Sequence, residues 1–189
     1  MTMSEQVQPA AITPRGIELG GTAPAGFDAV AMARRLLRTG RTGALATLDP
    51  ASGFPLSTLI NVATDVDGTP LLLASKLALH RRNFEADPRA SILLASLGKG
   101  DPMANSHRLS VVGRIAPAAD PRALRRFLAR HPKSKLYAGF PDFALFRLCV
   151  EAFHPNGGFA RAADLAVPEI GIHDGWVNEV TSISRRPAR

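Results

Sequence analysis

The chain has 189 residues, 46% of them apolar and 6% aromatic, and a formal net charge of +7. That length supports one domain with a real core, and no apolar run approaches the roughly 18 residues of a membrane-spanning helix. A single cysteine, Cys149, excludes an internal disulfide and a cysteine-rich metal site.

Residues 1–26 are rich in Pro, Gly, Ala and Thr without a sustained period and read as a flexible N-terminal arm. They lack a basic start followed by an apolar stretch, so no secretory signal is expected and a cytoplasmic location is the reading. Asp28 can cap a helix running to Arg38, with Ala33, Leu36 and Leu37 on its apolar face and Gly40 at its end. Strands are predicted at Thr42 to Leu48, Phe54 to Ala63 and Leu71 to Ala74, separated by turn signals at Asp49–Gly53 and Asp65–Gly68.

Between Leu71 and Ala95 the chain reads as strand, basic helix start, short helix, Asp87-Pro88 stop, and a fourth strand from Ser91. With Ser75 as helix cap, Lys76, His80 and Asn83 share one face, while Leu77 and Phe84 would pack inward. Cations in the first turns of a helix suit a phosphate, because the free amides and the dipole already attract anions. An ordinary amphipathic helix with a solvated basic face accounts for the same pattern.

Gly98 to Asn105 is a loop, and Arg108 to Ala116 a fifth strand with Gly113 as a bulge. Asp120-Pro121 starts a helix that ends at His131-Pro132, and Ser134 to Ala138 adds a helical turn. Phe143 to Phe153 is a sixth strand, and Asn156-Gly157-Gly158 turns the chain into a C-terminal tail, residues 166–189. Short strands joined by hairpin turns argue for a mainly β, six-stranded antiparallel barrel or sandwich with flanking α-helices over residues 27–165.

The sequence has no phosphate-binding glycine loop, dinucleotide fingerprint or nucleophile elbow, and its five histidines lack metal-ligand spacing. The basic residues are dispersed, without an aromatic-interleaved stripe, so anionic small molecules are expected as partners rather than nucleic acid or membrane. Ser57 and Thr58 beside Leu59 and Ile60 can line a flat aromatic ligand, and Arg108 and Ser110 can point into the same space.

In order along the chain stand Leu45-Ala46-Thr47, Gly53-x-Pro55 leading into Ser57-Thr58-Leu59, and Ala74-Ser75 before the helix. Asp87-Pro88-Arg89-Ala90 and Val112-Gly113-Arg114 follow. Together they resemble the pyridoxamine 5′-phosphate oxidase-like family of flavin-binding split barrels. Ser75-x-Leu77-Ala78-x-His80-x-x-Asn83, Phe140-Pro-Asp-Phe143 and Gly157 to Ala162 look like its haem-utilisation branch.

The resemblance implies an FMN-binding split barrel, a homodimer with flavin at the subunit interface, and oxidoreductase activity on an unknown small-molecule substrate or electron donor. It places Ser57, Thr58, Leu59, Ser75, Lys76, Leu77, His80, Arg82, Asn83 and Arg108 at the cofactor. Arg81 joins Lys76 and Arg82 in making up for the family's phosphate-binding Arg and Lys, since Thr58 and His80 stand at two of those positions. The oxidases' Arg-x-His-x-Arg substrate signature is absent, so pyridoxamine phosphate oxidation is not expected. Haem in the same cleft is the alternative, with His107, His154 or His173 as axial ligand, and a flavin-binding dimer without turnover is another. The branch implies a further C-terminal domain that this sequence does not contain, so full haem degradation is not expected either.

Overall fold

The computed structural model describes residues 27–158, together with the single positions Ile12 and Ile170. Seven strands make one antiparallel sheet: β1 (Thr42–Leu48), β2 (Pro55–Asn61), β3 (Ala63–Thr64), β4 (Pro70–Ser75), β5 (Arg89–Ser96), β6 (His107–Pro117) and β7 (Phe143–Asn156). Their spatial order is β2-β1-β5-β6-β7-β4-β3. β2 and β3 stand at opposite ends of that order, yet only Val62 separates them in sequence. A sheet whose two edges are joined by one residue has to roll up, and the result is a split barrel. The buried Val62 pins the junction by donating its N–H to the Arg41 carbonyl at 2.8 Å.

Six strands are predicted from the sequence and seven are present among the described residues. The apolar stretch Phe54 to Ala63 is not one strand, because the chain leaves one edge of the sheet at Asn61 and begins β3 at the other. Two further differences are smaller. β5 starts at Arg89 rather than Ser91, and the expected 98–105 loop contains a short helix, α3 (Pro102–Asn105), capped by the Asp101 carboxylate. Gly113 forms the expected bulge: the register shifts between Val112 and Gly113, and a Cβ there would collide with the Cys149 carbonyl.

Alternation sorts each strand into an inner and an outer face. Leu45, Ile92, Leu94, Leu109, Val111, Leu148 and Phe153 point inward and are fully buried. Helix α1 (Ala29–Thr39) closes the barrel with Met32, Ala33, Leu36 and Leu37, its N-terminus capped by Asp28, whose Oδ1 accepts the Ala31 N–H at 2.8 Å. Helix α4 (Pro121–Arg130), capped by Asp120, lays Ala123 and Phe127 against Leu71 and Leu145 on the outside of β4 and β7. β4 is therefore covered on both faces, which is why Leu71 to Ala74 reads as a continuous apolar run rather than an alternation. A short 3-10 helix (Pro132–Leu136) follows α4. Ile170 is fully buried in the main core, and its carbonyl accepts from Arg34 Nε at 2.9 Å. The rest of the arm and tail, the 159–162 motif and His173 lie outside the described residues.

Candidate functional site

β4 ends at Ser75 and helix α2 (Leu79–Ala86) begins four residues later. Ser75 is not the helix cap that the sequence suggests. Its hydroxyl donates to Asp142 Oδ2 at 2.6 Å and accepts the Leu77 N–H at 3.0 Å. Ala78 takes the cap position and has no side chain to offer the helix. Lys76 therefore lies on an exposed turn before the helix, and the expected shared face of Lys76, His80 and Asn83 does not form.

The turn amides are already committed. Lys76 N–H goes to the Asp142 carbonyl at 2.8 Å, Leu77 N–H to Ser75 Oγ, and Ala78 N–H to the Ser75 carbonyl at 3.1 Å. Within α2, the Arg81 and Arg82 amides both reach the Ala78 carbonyl, at 3.0 and 3.3 Å. The Leu79 and His80 amides are the ones that an uncapped helix start leaves without an intrahelical acceptor.

The side chains of α2 divide sharply. His80 is half-buried, with Nδ1 3.1 Å from Thr58 Oγ1 on β2, and burial holds its pKa below the ordinary value. It is a neutral hydrogen-bonding group near neutral pH, not a cation. Asn83 is buried and donates Nδ2–H to Thr47 Oγ1 at 3.1 Å. It holds α2 to β1. Arg81, expected as a compensating surface cation, is buried. Its guanidinium donates to the Ala74 carbonyl at 3.0 Å, the Asp142 carbonyl at 2.8 Å and Glu85 Oε1 at 2.8 Å, and stacks 5.0 Å from the Phe146 ring centroid. Arg82 is exposed. Phe84 packs inward as expected, edge-on to Phe146, but Leu77 is 86% exposed.

Ser57 and Leu59 lie on the outer face of β2, opposite in sense to Thr58. Register carries that face across five strands. One row runs Leu59–Ala44–Leu93–Ser110–His154 and the next Ser57–Ala46–Ser91–Val112–Ala152. Leu59 and Leu93 are 79% and 41% exposed, and the side chains between them are small. A shallow depression of about 250 Å³ lies on this face, floored by Ala46, Ser91 and Val112 and walled by Leu48, Pro55 and Arg89. Arg89 is committed to Asp87, whose pKa it lowers to about 2.

Arg108 stands three strands from β2, roughly 14 Å at ordinary strand spacing. It donates to Asn156 Oδ1 at 2.7 Å and contacts Met103. The predicted site residues thus occupy two places on the subunit. Thr58, Lys76, Leu77, His80 and Arg82 gather at the β2 and α2 corner with Asn83 beneath, and Arg108 lies across the open face. Among the described residues no cluster of His, Cys, Asp and Glu is arranged to hold a metal ion, and no helix is long and apolar enough to cross a membrane.

Residues 30–156 match the family model described as pyridoxamine 5′-phosphate oxidase. The chain belongs to the pyridoxamine 5′-phosphate oxidase family. As a member of that family it is similar to a chloroplastic protein of Arabidopsis thaliana, the non-canonical haem oxygenase HOZ. The two are 31% identical over 134 residues, 68% of this chain and 40% of that protein. The chain thus spans less than half the length of this curated relative. A crystal structure of the Agrobacterium tumefaciens protein Atu2129, of unknown function, matches at TM-score 0.73 and 42% identity, covering 87% of this chain and 64% of that one. A haem-binding protein from Mycobacterium smegmatis matches at TM-score 0.70 and 28% identity, covering 77% and 60%. The resemblance read from the sequence, including its lean toward haem-handling relatives, is upheld.

Asp142 is the residue that sequence reasoning missed. The Phe140–Phe143 run carries a family signal, but the bond from Ser75 spans 67 positions of chain and no local pattern predicts it.

Proposed function

We propose that the chain is an FMN-binding flavoprotein, a cytoplasmic homodimeric oxidoreductase that holds its flavin where the open sheet face of one subunit meets the other. The observation that carries this reading is the uncapped start of α2 at the exposed edge of β2. Two amides without acceptors, the Lys76 ammonium and the exposed Arg82 suit a phosphate dianion. Small outer-face side chains leave room for a planar ring along Ser57 and Leu59.

Each residue has a part in that arrangement. Thr58 orients His80, so that the imidazole presents Nε2 as its remaining hydrogen-bonding atom. Asn83 ties α2 to β1 through Thr47 and keeps the amides aimed. Arg108, across the face, supplies a cation toward the ring. The 250 Å³ depression is smaller than the roughly 300–1,000 Å³ of ordinary ligand pockets. A second copy of the chain covering the open face would complete the site, which supports the dimer. Bound flavin supplies hydride and electron transfer to a small-molecule substrate; the protein contributes binding, orientation and exclusion of water.

The purified protein is expected to be yellow and to carry about one FMN per subunit, the stoichiometry of a two-fold dimer with two equivalent sites. Reduction of that flavin by NADH or NADPH, followed by reoxidation with an added acceptor, separates an enzyme from a passive binder. A colourless dimer without FMN affinity contradicts the proposal.

A second reading is favoured by His154, which shares its outer-face row with Ser110, Leu93 and Leu59, and by similarity to two haem proteins. In this reading haem takes the same cleft with His154 as axial ligand. A Soret band that appears on haem titration and is altered in His154→Ala supports it.

A further inference from the structure

The turn between β4 and α2 is held from a distance. Asp142 meets it twice, once through its carboxylate at the Ser75 hydroxyl (2.6 Å) and once through its carbonyl at the Lys76 N–H (2.8 Å). The same carbonyl takes an N–H of the buried Arg81 guanidinium at 2.8 Å, and that nitrogen also reaches the Ala74 carbonyl at 3.0 Å. An O–H to carboxylate bond of this length is charge-assisted and among the stronger hydrogen bonds in proteins.

Proton direction gives this network its meaning. A serine hydroxyl has one proton to donate. Ser75 gives it to Asp142, which leaves lone pairs for the Leu77 N–H at 3.0 Å. Ser75 therefore cannot at the same time donate to a ligand phosphate, although the sequence pattern puts it at the cofactor. Its hydroxyl instead passes the orientation set by Asp142 on to the Leu77 amide.

We propose that Asp142 is the positioning residue of the ligand turn. Through Ser75 and its own carbonyl it fixes Lys76, Leu77 and Ala78, and so sets where the Lys76 ammonium and the Leu79 and His80 amides point, without touching the ligand. The ligand-binding part of this inference rests on the flavin reading above; the conformational part does not. Arg81 completes the device by clamping the Asp142 backbone to the end of β4, so the Phe140–Phe143 run acts as an outer brace for the turn.

Two measurements on one set of variants test this: amide hydrogen exchange of the ligand-free protein, and FMN titration. Asp142→Ala and Ser75→Ala should each speed exchange at Leu77 about tenfold, and leave core amides such as Ile92 unchanged. Both should weaken FMN binding about tenfold, with the double variant no weaker than Asp142→Ala alone. Asp142→Asn, which keeps an acceptor oxygen for Ser75, should restore most of both losses. Unchanged exchange at Leu77 overturns the proposal, as does faster exchange with wild-type FMN affinity. Failure of Asp142→Asn to restore either readout also counts against it. If Asp142→Ala does not fold, Asp142→Glu, whose extra methylene displaces the carboxylate from Ser75, decides the same point by the same two readouts. A wild-type protein that takes up no FMN removes the flavin reading instead, and the exchange data still decide whether Asp142 holds the turn.

Discussion

Arg81 and Arg82 are adjacent in sequence, and only one of them is available to a ligand. Arg81 spends its donors on two backbone carbonyls and Glu85 beneath α2, whereas Arg82 faces solvent. Arg81→Ala removes a buried guanidinium together with its bonds to the Ala74 and Asp142 carbonyls and should destabilise the fold by about 3 kcal/mol, read from denaturant midpoints at constant m-value. Lys76→Ala should leave stability within about 0.5 kcal/mol, as an exposed substitution does, and weaken FMN binding about fivefold, a loss near 1 kcal/mol. Titrating both variants with FMN and melting both without it separates the two roles. The sequence showed a short basic helix after β4, but not that it begins at Leu79, with Ala78 rather than Ser75 as its cap and Lys76 outside it. It could not show that Arg81 is buried, because Asp142, a partner of both Arg81 and Ser75, lies far along the chain.

Two histidines, the half-buried His80 and the buried His131, give the fold a pH dependence with a definite sign. Burial holds the pKa values of both His80 and His131 below 6.5; for His131 the Val62 carbonyl opposes this, and the nearby Arg41 and Arg130 add to it. The unfolded chain then binds protons more readily than the folded one. The stability due to these groups is complete above pH 6.5 and is lost as the pH falls below that value. Thermal unfolding between about pH 7 and about pH 5 should show a falling midpoint. His131→Asn, which can keep a donor near the Val62 carbonyl, should flatten the slope, and an unchanged slope would remove His131 from the account.

At the level of elements, α1 and α4 were legible because their caps are local, whereas α2 has no side-chain cap to read and α3 is a single turn inside an expected loop. Asp28 and Asp120 each accept amides two or three residues ahead, and Pro121 opens α4. Asp120→Ala should cost about 1 kcal/mol of stability, measurable by denaturant unfolding. The α4 contact with β4 is worth more. Phe127 is buried against Leu71 and Leu145, and Phe127→Ala should destabilise by roughly 3–5 kcal/mol. A loss under about 1 kcal/mol would mean that α4 is not integral to the barrel. The strands were legible by alternation except where tertiary coverage changed the rule. β4 lost its alternation under α4, and the break at Val62 was hidden inside an apolar run because it is a change of sheet edge, not a turn.

On the scale of the whole molecule, one broad sheet face of the barrel is left uncovered by the described residues, with Leu59 and Leu93 exposed between small side chains. Ordered motifs in the sequence pointed to the split barrel and its family. The two-part layout of the site was not legible, since strand order, not sequence order, puts Arg108 three strands away from Ser57. A flat anionic cofactor spanning these parts requires the open face to be covered. The most direct test is the absorbance spectrum of the purified protein, before and after titration with FMN and with haem, recorded on the same fraction whose mass is measured in solution. The account predicts a dimer with flavin absorbance that saturates at about one FMN per subunit, as two-fold symmetry requires. A protein that gains a Soret band but no flavin, or binds neither, contradicts it.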